Sequence, residues 1–527
     1  MNYWDLFHAT LPVTALEIAA LVVLIVDLGF LRKAALNVRV TTAALLGVAG
    51  CGAALWGLTL SAGQSVGVNF ELPLLTESGG TVAAQAGILI LTALTLLLLI
   101  DSVFTRHVGE YVSVVLMAAS GGLIVAAAQD LLVIFIGLEL LSLGLYILTA
   151  FAKSSGKSAE AALKYYLFGG MSAAFLLFGF SYFYGLTGST NLKQIQWSMT
   201  ASGASPMFYV AWILVVAGLG FKVAAVPFHL WAPDTYEGAP APAAAFIASV
   251  SKVASFALLL TISTNWFVQS GPITGQRSVV TAALRQYYAT WPPLATILLV
   301  VAAASMIVGN LAALAQVSVR RLLAYSAIAH AGYILLGIAA HPVYAGQGRV
   351  IEWAEGNIGP AYLSANAVLY YVLTYGLTTI GAFGVVAVVE RATGSDRMDS
   401  FLGLHKRNPV LAAVLLVLFL SLAGIPPLVG FWAKFNLFAA VLGASAGAAP
   451  FALVALAVAL SAVSLYYYLQ VLKRAFVSVP AADAGPIQTP VLRKLLIVAL
   501  AAAVVVLGCA PNLLLRCIVA ACSTVGI

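Results

Sequence analysis

Runs of about 20 apolar residues, each long enough to cross ~30 Å of hydrocarbon, recur along the whole chain. They predict about 14 helices, centred near Leu21, Gly50, Thr92, Ala119, Leu141, Leu176, Val216, Val253, Ala303, His330, Tyr375, Ala423, Ser461 and Val504. Alternation with period two, which a membrane barrel needs, is absent, so the spans are helices. One apolar run, Pro409 to Gly443, covers about 35 residues, too long for one straight crossing, and holds Pro426 and Pro427. It predicts an interrupted helix.

Composition sharpens this pattern. Of 527 residues, 62% are hydrophobic and 8% charged, and the mean hydropathy is +1.03. Soluble chains carry roughly a quarter charged residues, so a water-soluble fold is excluded. No basic segment precedes the first apolar run, Leu11 to Leu31, which also carries Glu17 and Asp27; it reads as an uncleaved first span. Cys51, Cys509, Cys517 and Cys522 have no CxxC spacing and read as packed thiols.

The net charge of +7 is no nucleic-acid footprint; its distribution reports topology. Arg32, Lys33, Arg39, Arg106, Lys153, Lys157, Lys164, Arg320, Arg321 and several later basic residues fall on one side of the spans. Only Lys193, Arg277, Arg285, Arg349 and Arg516 fall on the other. The rich side is expected to be cytoplasmic, with both termini periplasmic, as an even span number requires.

Three basic residues belong to neither side. Lys252 has about ten uncharged residues on each flank, too deep for its stem to snorkel out. Lys222 precedes Pro227 by five residues, and the proline should break the helix there. His229 follows Lys222 by seven residues and would share its face if helical geometry persists. Lys434 follows Pro427 by seven residues, so the two broken helices carry lysines on opposite sides of their prolines. An inverted-topology repeat would produce that reversal.

Glu139 is central in DLLVIFIGLELLSLGLYILTA, where a carboxylate must be protonated or paired with lysine. His330 is central in RRLLAYSAIAHAGYILLGIAA and suits proton relay. Lys164 lies near the cytoplasmic end of its span, where uptake into the path and simple snorkelling are both open. The clusters Tyr165–Tyr166, Tyr370–Tyr371 and Tyr466–Tyr468 read as interfacial belts.

The segments GFKVAAVPFHLWAPDTYEGAPAPAAAFIASVSKVASF, RRLLAYSAIAHAGYILLG and SLAGIPPLVGFWAKF, in this order, resemble the antiporter-like subunits of respiratory complex I. The similarity runs roughly from Leu11 to Arg516. It fits best the members that end just after a fourteenth span and carry lysine, here Lys434, in the broken twelfth helix.

The resemblance implies two inverted five-helix repeats with helices 7 and 12 interrupted. Helices 1–3 would occupy residues 1–108, the first repeat (helices 4–8) residues 109–268, the second (helices 9–13) residues 290–477, and helix 14 residues 478–527. It also implies roles: Glu139 and Lys222 as a coupling pair, Lys252 as central relay, Lys434 as exit, with His229 and His330 linking them.

Function follows as an expectation. The chain would be a proton-translocating, multi-pass subunit of a bacterial inner-membrane NADH:quinone oxidoreductase, held among neighbouring antiporter-like subunits and lipid. No glycine-rich nucleotide loop, cysteine cluster or haem-type histidine pair occurs, so no cofactor is expected in this chain. NADH, FMN, iron–sulfur clusters and quinone would belong to partner subunits. Rival readings are a multi-subunit cation/proton antiporter, a membrane-bound hydrogenase, and a structural spacer, against which the three buried lysines weigh.

Overall fold

The computed structural model describes residues 7–8, 10–62, 65–69, 72–76, 79–100, 102, 104–202, 205–267, 293–345, 360–444, 448–480 and 485–524. In chain order its helices are α1 (Leu11–Ile25, continued by a wider turn over Val26–Phe30), α2 (Leu36–Ser61), α3 (Gly79–Leu99), α4 (Val108–Ala127), α5 (Leu131–Thr149) and α6 (Gly156–Thr187). There follow α7 (Leu192–Ser202), α8 (Pro206–Lys222), α9 (Trp231–Gly238), α10 (Ala241–Phe267), α11 (Pro293–Leu314) and α12 (Val319–Ala345). The last group is α13 (Pro360–Thr393), α14 (Pro409–Ala423), α15 (Val429–Ala444), α16 (Ala448–Phe476), α17 (Val491–Cys509) and α18 (Asn512–Thr524).

Among the described residues, twelve helices are long and apolar enough to cross a membrane. Two further crossings are interrupted: α8 with α9, the seventh, and α14 with α15, the twelfth. All fourteen centres expected from the sequence fall inside these helices. An antiparallel hairpin, β1 (Ser65–Asn69) and β2 (Leu72–Thr76), joins α2 to α3 and was not expected. Neither were α7 and α18, short helices outside the crossings. Arg277, Arg285 and Arg349, used to orient the spans, lie outside the described residues.

Local chemistry fixes several helix ends. Asp130 caps α5, accepting from Leu132 N at 2.9 Å, and Asn408 caps α14, accepting from Leu411 N at 3.0 Å. Pro409 follows at the first helical position, where a missing N–H costs nothing.

One backbone pattern occurs twice, at opposite ends of the molecule. Leu131 N donates to Thr190 O and Leu192 N to Gln129 O, tying the start of α5 to the loop after α6. Val319 N donates to Asp396 O and Met398 N to Val317 O, tying the start of α12 to the loop after α13.

The centre of the bundle is formed by α10, α12 and α13. Within their apolar windows 94%, 94% and 83% of residues are buried, against 22% for the first span. Helices hydrophobic all round belong in such a core. Two of them carry Lys252 and His330.

Candidate functional site

The seventh span breaks just after Lys222. Pro227 cannot extend the hydrogen-bond ladder, and Ala224 takes φ +58°, a left-handed conformation that stops a helix. The chain runs in turns over residues 223–230 before α9 begins. Backbone groups in the break find partners, as hydrocarbon requires. Val226 N donates to Ser305 Oγ of α11 at 2.9 Å, Ala225 N to Gly220 O at 2.8 Å, and Trp231 Nε1 to Phe221 O at 2.9 Å.

Lys222, Lys252, Lys434 and His330 are 7%, 2%, 6% and 4% exposed, so none snorkels to a surface. Lys222 Nζ lies 3.5 Å from Glu139 Oε1 and donates to Ser142 Oγ at 2.5 Å. Glu139 and Ser142 stand one turn apart on α5, so both reach the same ammonium. The Ser142 hydroxyl donates to Leu138 O, which leaves its lone pairs for the lysine. Glu139 is 26% exposed and sits in the stripe of α5 that also shows Leu132, Ile136, Leu143 and Ile147 outward. Its carboxylate is the more weakly held partner.

Lys252 Nζ donates to Ala327 O of α12 at 2.7 Å and stands 5.8 Å from the centre of the Tyr375 ring. That ring lies 4.8 Å from the His330 imidazole, whose Nδ1 is 2.8 Å from the Tyr371 hydroxyl. Lys434 Nζ donates to Ala423 O at 2.9 Å and Ser461 Oγ at 2.7 Å, and stands 5.3 Å over Tyr333. Tyr333 in turn packs edge-on against His330, with 5.8 Å between ring centres. His330 therefore stands between Lys252 and Lys434, with the Tyr375 ring on the side of one and the Tyr333 ring on the side of the other.

The twelfth span opens at Gly424, φ +88°, which ends α14. A Cβ there would lie 3.0 Å from Lys434 Cδ and 3.3 Å from its Nζ. Glycine therefore supplies both the left-handed turn and the space for the lysine.

His229 is brought to none of these groups. The helix stops at Lys222, so the seven-residue spacing does not set the two side chains on one face. The half-buried imidazole stands in the turn beside the Pro227 backbone. No hydrogen bond or ion pair joins Lys222 to Lys252 among the described residues.

Lys164 belongs to an ionic network at the basic end. Its Nζ lies 2.7 Å from Glu160 Oε1 and 2.8 Å from Asp234 Oδ2. Arg321 reaches Asp234 at 2.6 Å and Glu237 at 3.1 Å, and Lys157 reaches Glu237 at 3.1 Å. Asp234 and Glu237 thus tie α9 to α6 and α12.

The tyrosines depart from the expected belts. Tyr166 and Tyr466 do face outward. Tyr165, Tyr370, Tyr371, Tyr467 and Tyr468 are buried, because neighbours on a helix point about 100° apart and cannot all face lipid. Tyr371 holds His330, Tyr467 donates to Asn310 Oδ1, and Tyr468 bonds Ser326. Ser142 was not singled out in the sequence, although its place three residues after Glu139 offered a signal. Tyr333, Tyr371, Tyr375 and Ser461 offered none, since each needs the packing of two helices. Among the described residues, no group of three or more His, Cys, Asp or Glu side chains could hold a metal.

Comparison with known proteins places this geometry. Residues 128–284, 278–354 and 358–461 match the family described as NADH:quinone oxidoreductase/Mrp antiporter, TM. The chain is 47% identical to NADH-quinone oxidoreductase subunit N 2 of Acidobacterium capsulatum, over 98% of this chain and 99% of that one. It is 36% identical to NADH-quinone oxidoreductase subunit N of Desulfovibrio desulfuricans, over 90% and 88%. A chain of respiratory complex I from Thermus thermophilus superposes with TM-score 0.73 at 32% identity, over 96% of this chain and 98% of that one. A chain of the Mrp complex from Dietzia sp. shares the fold, with TM-score 0.76 at 20% identity over 98% and 97%. With more than half its length matched to that family and a relative aligned nearly from end to end, the chain belongs to the membrane-subunit family of NADH:quinone oxidoreductases and Mrp antiporters.

Proposed function

We propose that this proton-translocating subunit of NADH:quinone oxidoreductase moves protons through three stations. They are Glu139 with Lys222, Lys252 with His330, and Lys434. Electron transfer from NADH to quinone occurs in partner subunits, which hold the flavin, the iron–sulfur clusters and the quinone. The basic end is cytoplasmic and both termini are periplasmic. Residues 109–268 and 290–477 form two inverted repeats, a reading supported by the backbone pattern that recurs at opposite ends.

One observation carries the reading: three buried ammonium groups each rest on a neutral oxygen, and among the described residues only Lys222 of the three also pairs with a carboxylate. A carboxylate near an amine favours its charged form, while an apolar site favours the neutral one. Movement of Glu139 towards or away from Lys222 therefore decides whether that proton is held or passed on. Lys252 and His330 receive it, and Lys434 releases it where the twelfth span is open. Lys164 feeds the path from the cytoplasmic rim, while His229 stands beside the break near Lys222.

The test is proton pumping in proteoliposomes of the assembled complex carrying Lys222→Ala, scored with NADH:quinone turnover. Loss of both with the complex intact is the expected result. Unchanged pumping and turnover would make Lys222 a structural lysine.

A further inference from the structure

Asn310 of α11 is completely buried and stands outside the path described above. Its Nδ2 donates to Met306 O of its own helix at 2.8 Å and to the Tyr333 hydroxyl of α12 at 3.2 Å. Its Oδ1 accepts from the Tyr467 hydroxyl of α16 at 3.3 Å. One amide thus joins three spans. A membrane-core position selected for packing alone takes leucine or alanine, because an amide there must find its partners inside the protein.

The two helix backbones are shaped for this reach. A Cβ on Gly309 would lie 2.5 Å from Ala329 N, and one on Gly332 would lie 2.7 Å from Ala302 O. Glycine at both places lets α11 and α12 approach closely, and the short Asn310 side chain then spans the gap.

Tyr333 is where the amide meets the path. Its ring centre lies 5.3 Å from Lys434 Nζ, and the ring meets the His330 imidazole edge-on. An aromatic face attracts a cation within about 6 Å. A bond to the far end of the side chain, its hydroxyl, fixes where that face stands. Helix α16 therefore holds Lys434 twice: directly through Ser461, and across the ring through Tyr467, Asn310 and Tyr333.

We infer that Asn310 is a positioning residue for proton passage between His330 and Lys434, anchoring the Tyr333 hydroxyl so that the ring faces the lysine. The inference rests on Lys434 carrying protons. Tyr467 bonds the other end of the amide and does not itself hold the ring.

The experiment measures initial rates of proton pumping, per assembled complex, in proteoliposomes, with the thermal stability of each complex alongside. The variants are Asn310→Leu, Tyr333→Phe, the two together, Tyr467→Phe and Lys434→Ala. Tyr333→Phe keeps the ring and deletes only the hydroxyl, so it tests the bond even where Asn310→Leu fails to assemble; native gels decide that. Asn310→Leu and Tyr333→Phe should each lower pumping about fivefold, the worth of one ordinary hydrogen bond. The double variant should fall no further than either, because both remove the same bond. Tyr467→Phe breaks the other bond of the amide, should cost comparable stability, and should keep pumping within about twofold of the parent. The inference is overturned if Tyr333→Phe pumps at the parental rate, or if the two losses multiply in the double variant. It is overturned equally if Tyr467→Phe lowers pumping as far as Tyr333→Phe, which would make the network a structural brace. Undiminished pumping in Lys434→Ala would instead sink the reading on which the inference rests.

Discussion

Lys222 donates to the Ser142 hydroxyl at 2.5 Å, a closer contact than its ion pair. The serine is a neutral acceptor that would keep the amine in place during the proposed withdrawal of Glu139. Ser142→Ala should therefore leave Lys222 dependent on Glu139 and slow proton release rather than abolish it. Losing one hydrogen bond to a charged group, about 1.5–3 kcal/mol, corresponds to a fall in pumping of roughly tenfold to a hundredfold. Ser142→Thr, which keeps the hydroxyl, should recover most of the rate. Equal pumping in Ser142→Ala and the parent would remove Ser142 from the path.

Gly424 and Gly188 both adopt positive φ, +88° and +70°, but only Gly424 of the two adjoins a lysine. Alanine at either position meets left-handed strain of ~1–2 kcal/mol. At Gly188 a Cβ meets nothing within 4 Å, whereas at Gly424 it presses on Lys434. Gly188→Ala should lower thermal stability alone. Gly424→Ala should lower both stability and protons pumped per NADH. Matching behaviour in the two variants would mean that the Lys434 position does not matter.

The crossings were legible because about 20 apolar residues in a row have few ways to be satisfied in lipid other than as a helix. Both breaks were legible from Pro227, Pro426 and Pro427, which remove donors the ladder needs. The hairpin at residues 65–76 was missed because the strands are five residues each and offer little alternation. Within the site, lysines and the central carboxylate stood out because charge is rare inside a membrane. The neutral groups that hold them did not: Ala327 and Ala423 act through backbone carbonyls, which no side-chain pattern reveals. His229 exposes the limit of spacing arguments, since seven residues mean two turns only while a helix lasts.

Tyr371 contacts His330 Nδ1 at 2.8 Å and so fixes which imidazole nitrogen faces the lysines. Tyr371→Phe keeps the ring packing and loses only that bond. Pumping should fall by about fivefold, as expected for a ~1 kcal/mol bond, while assembly is unchanged. His330→Gln should cost more, because it removes the proposed relay itself. A Tyr371→Phe complex that pumps at the parental rate would separate the tyrosine from the relay.

Lys164 and Asp234 make a contrasting pair at the basic end. Lys164 is substantially exposed, and exposed ion pairs contribute ~0–1 kcal/mol. Asp234, by comparison, joins Lys164 and Arg321 and anchors the half-helix α9. Lys164→Gln should lower pumping while changing stability by no more than ~1 kcal/mol, as loss of a residue that feeds the path would, whereas Asp234→Asn should loosen α9 and lower both pumping and stability. Parental pumping in Lys164→Gln would remove the residue from the path. Initial pumping rates at saturating NADH, with native gels for assembly, distinguish the two.

Asp27 lies at the basic end of the first span and is almost wholly buried. Arg39 of α2 grips it with two bonds of 2.7 Å, and Gly109 N of α4 adds a third at 2.9 Å. The clamp thus joins three crossings far from the buried lysines. Asp27→Asn strands the Arg39 charge, and breaking a buried pair this way costs about 3–5 kcal/mol, towards the lower figure here because the arginine is partly exposed. The melting temperature of the complex and its yield should fall, while protons pumped per NADH by the assembled fraction stay at the parental ratio. Asp27→Leu with Arg39→Leu removes both charges and should recover part of the lost stability. A lowered pumping ratio in intact Asp27→Asn complex would instead make the clamp part of the conducting machinery.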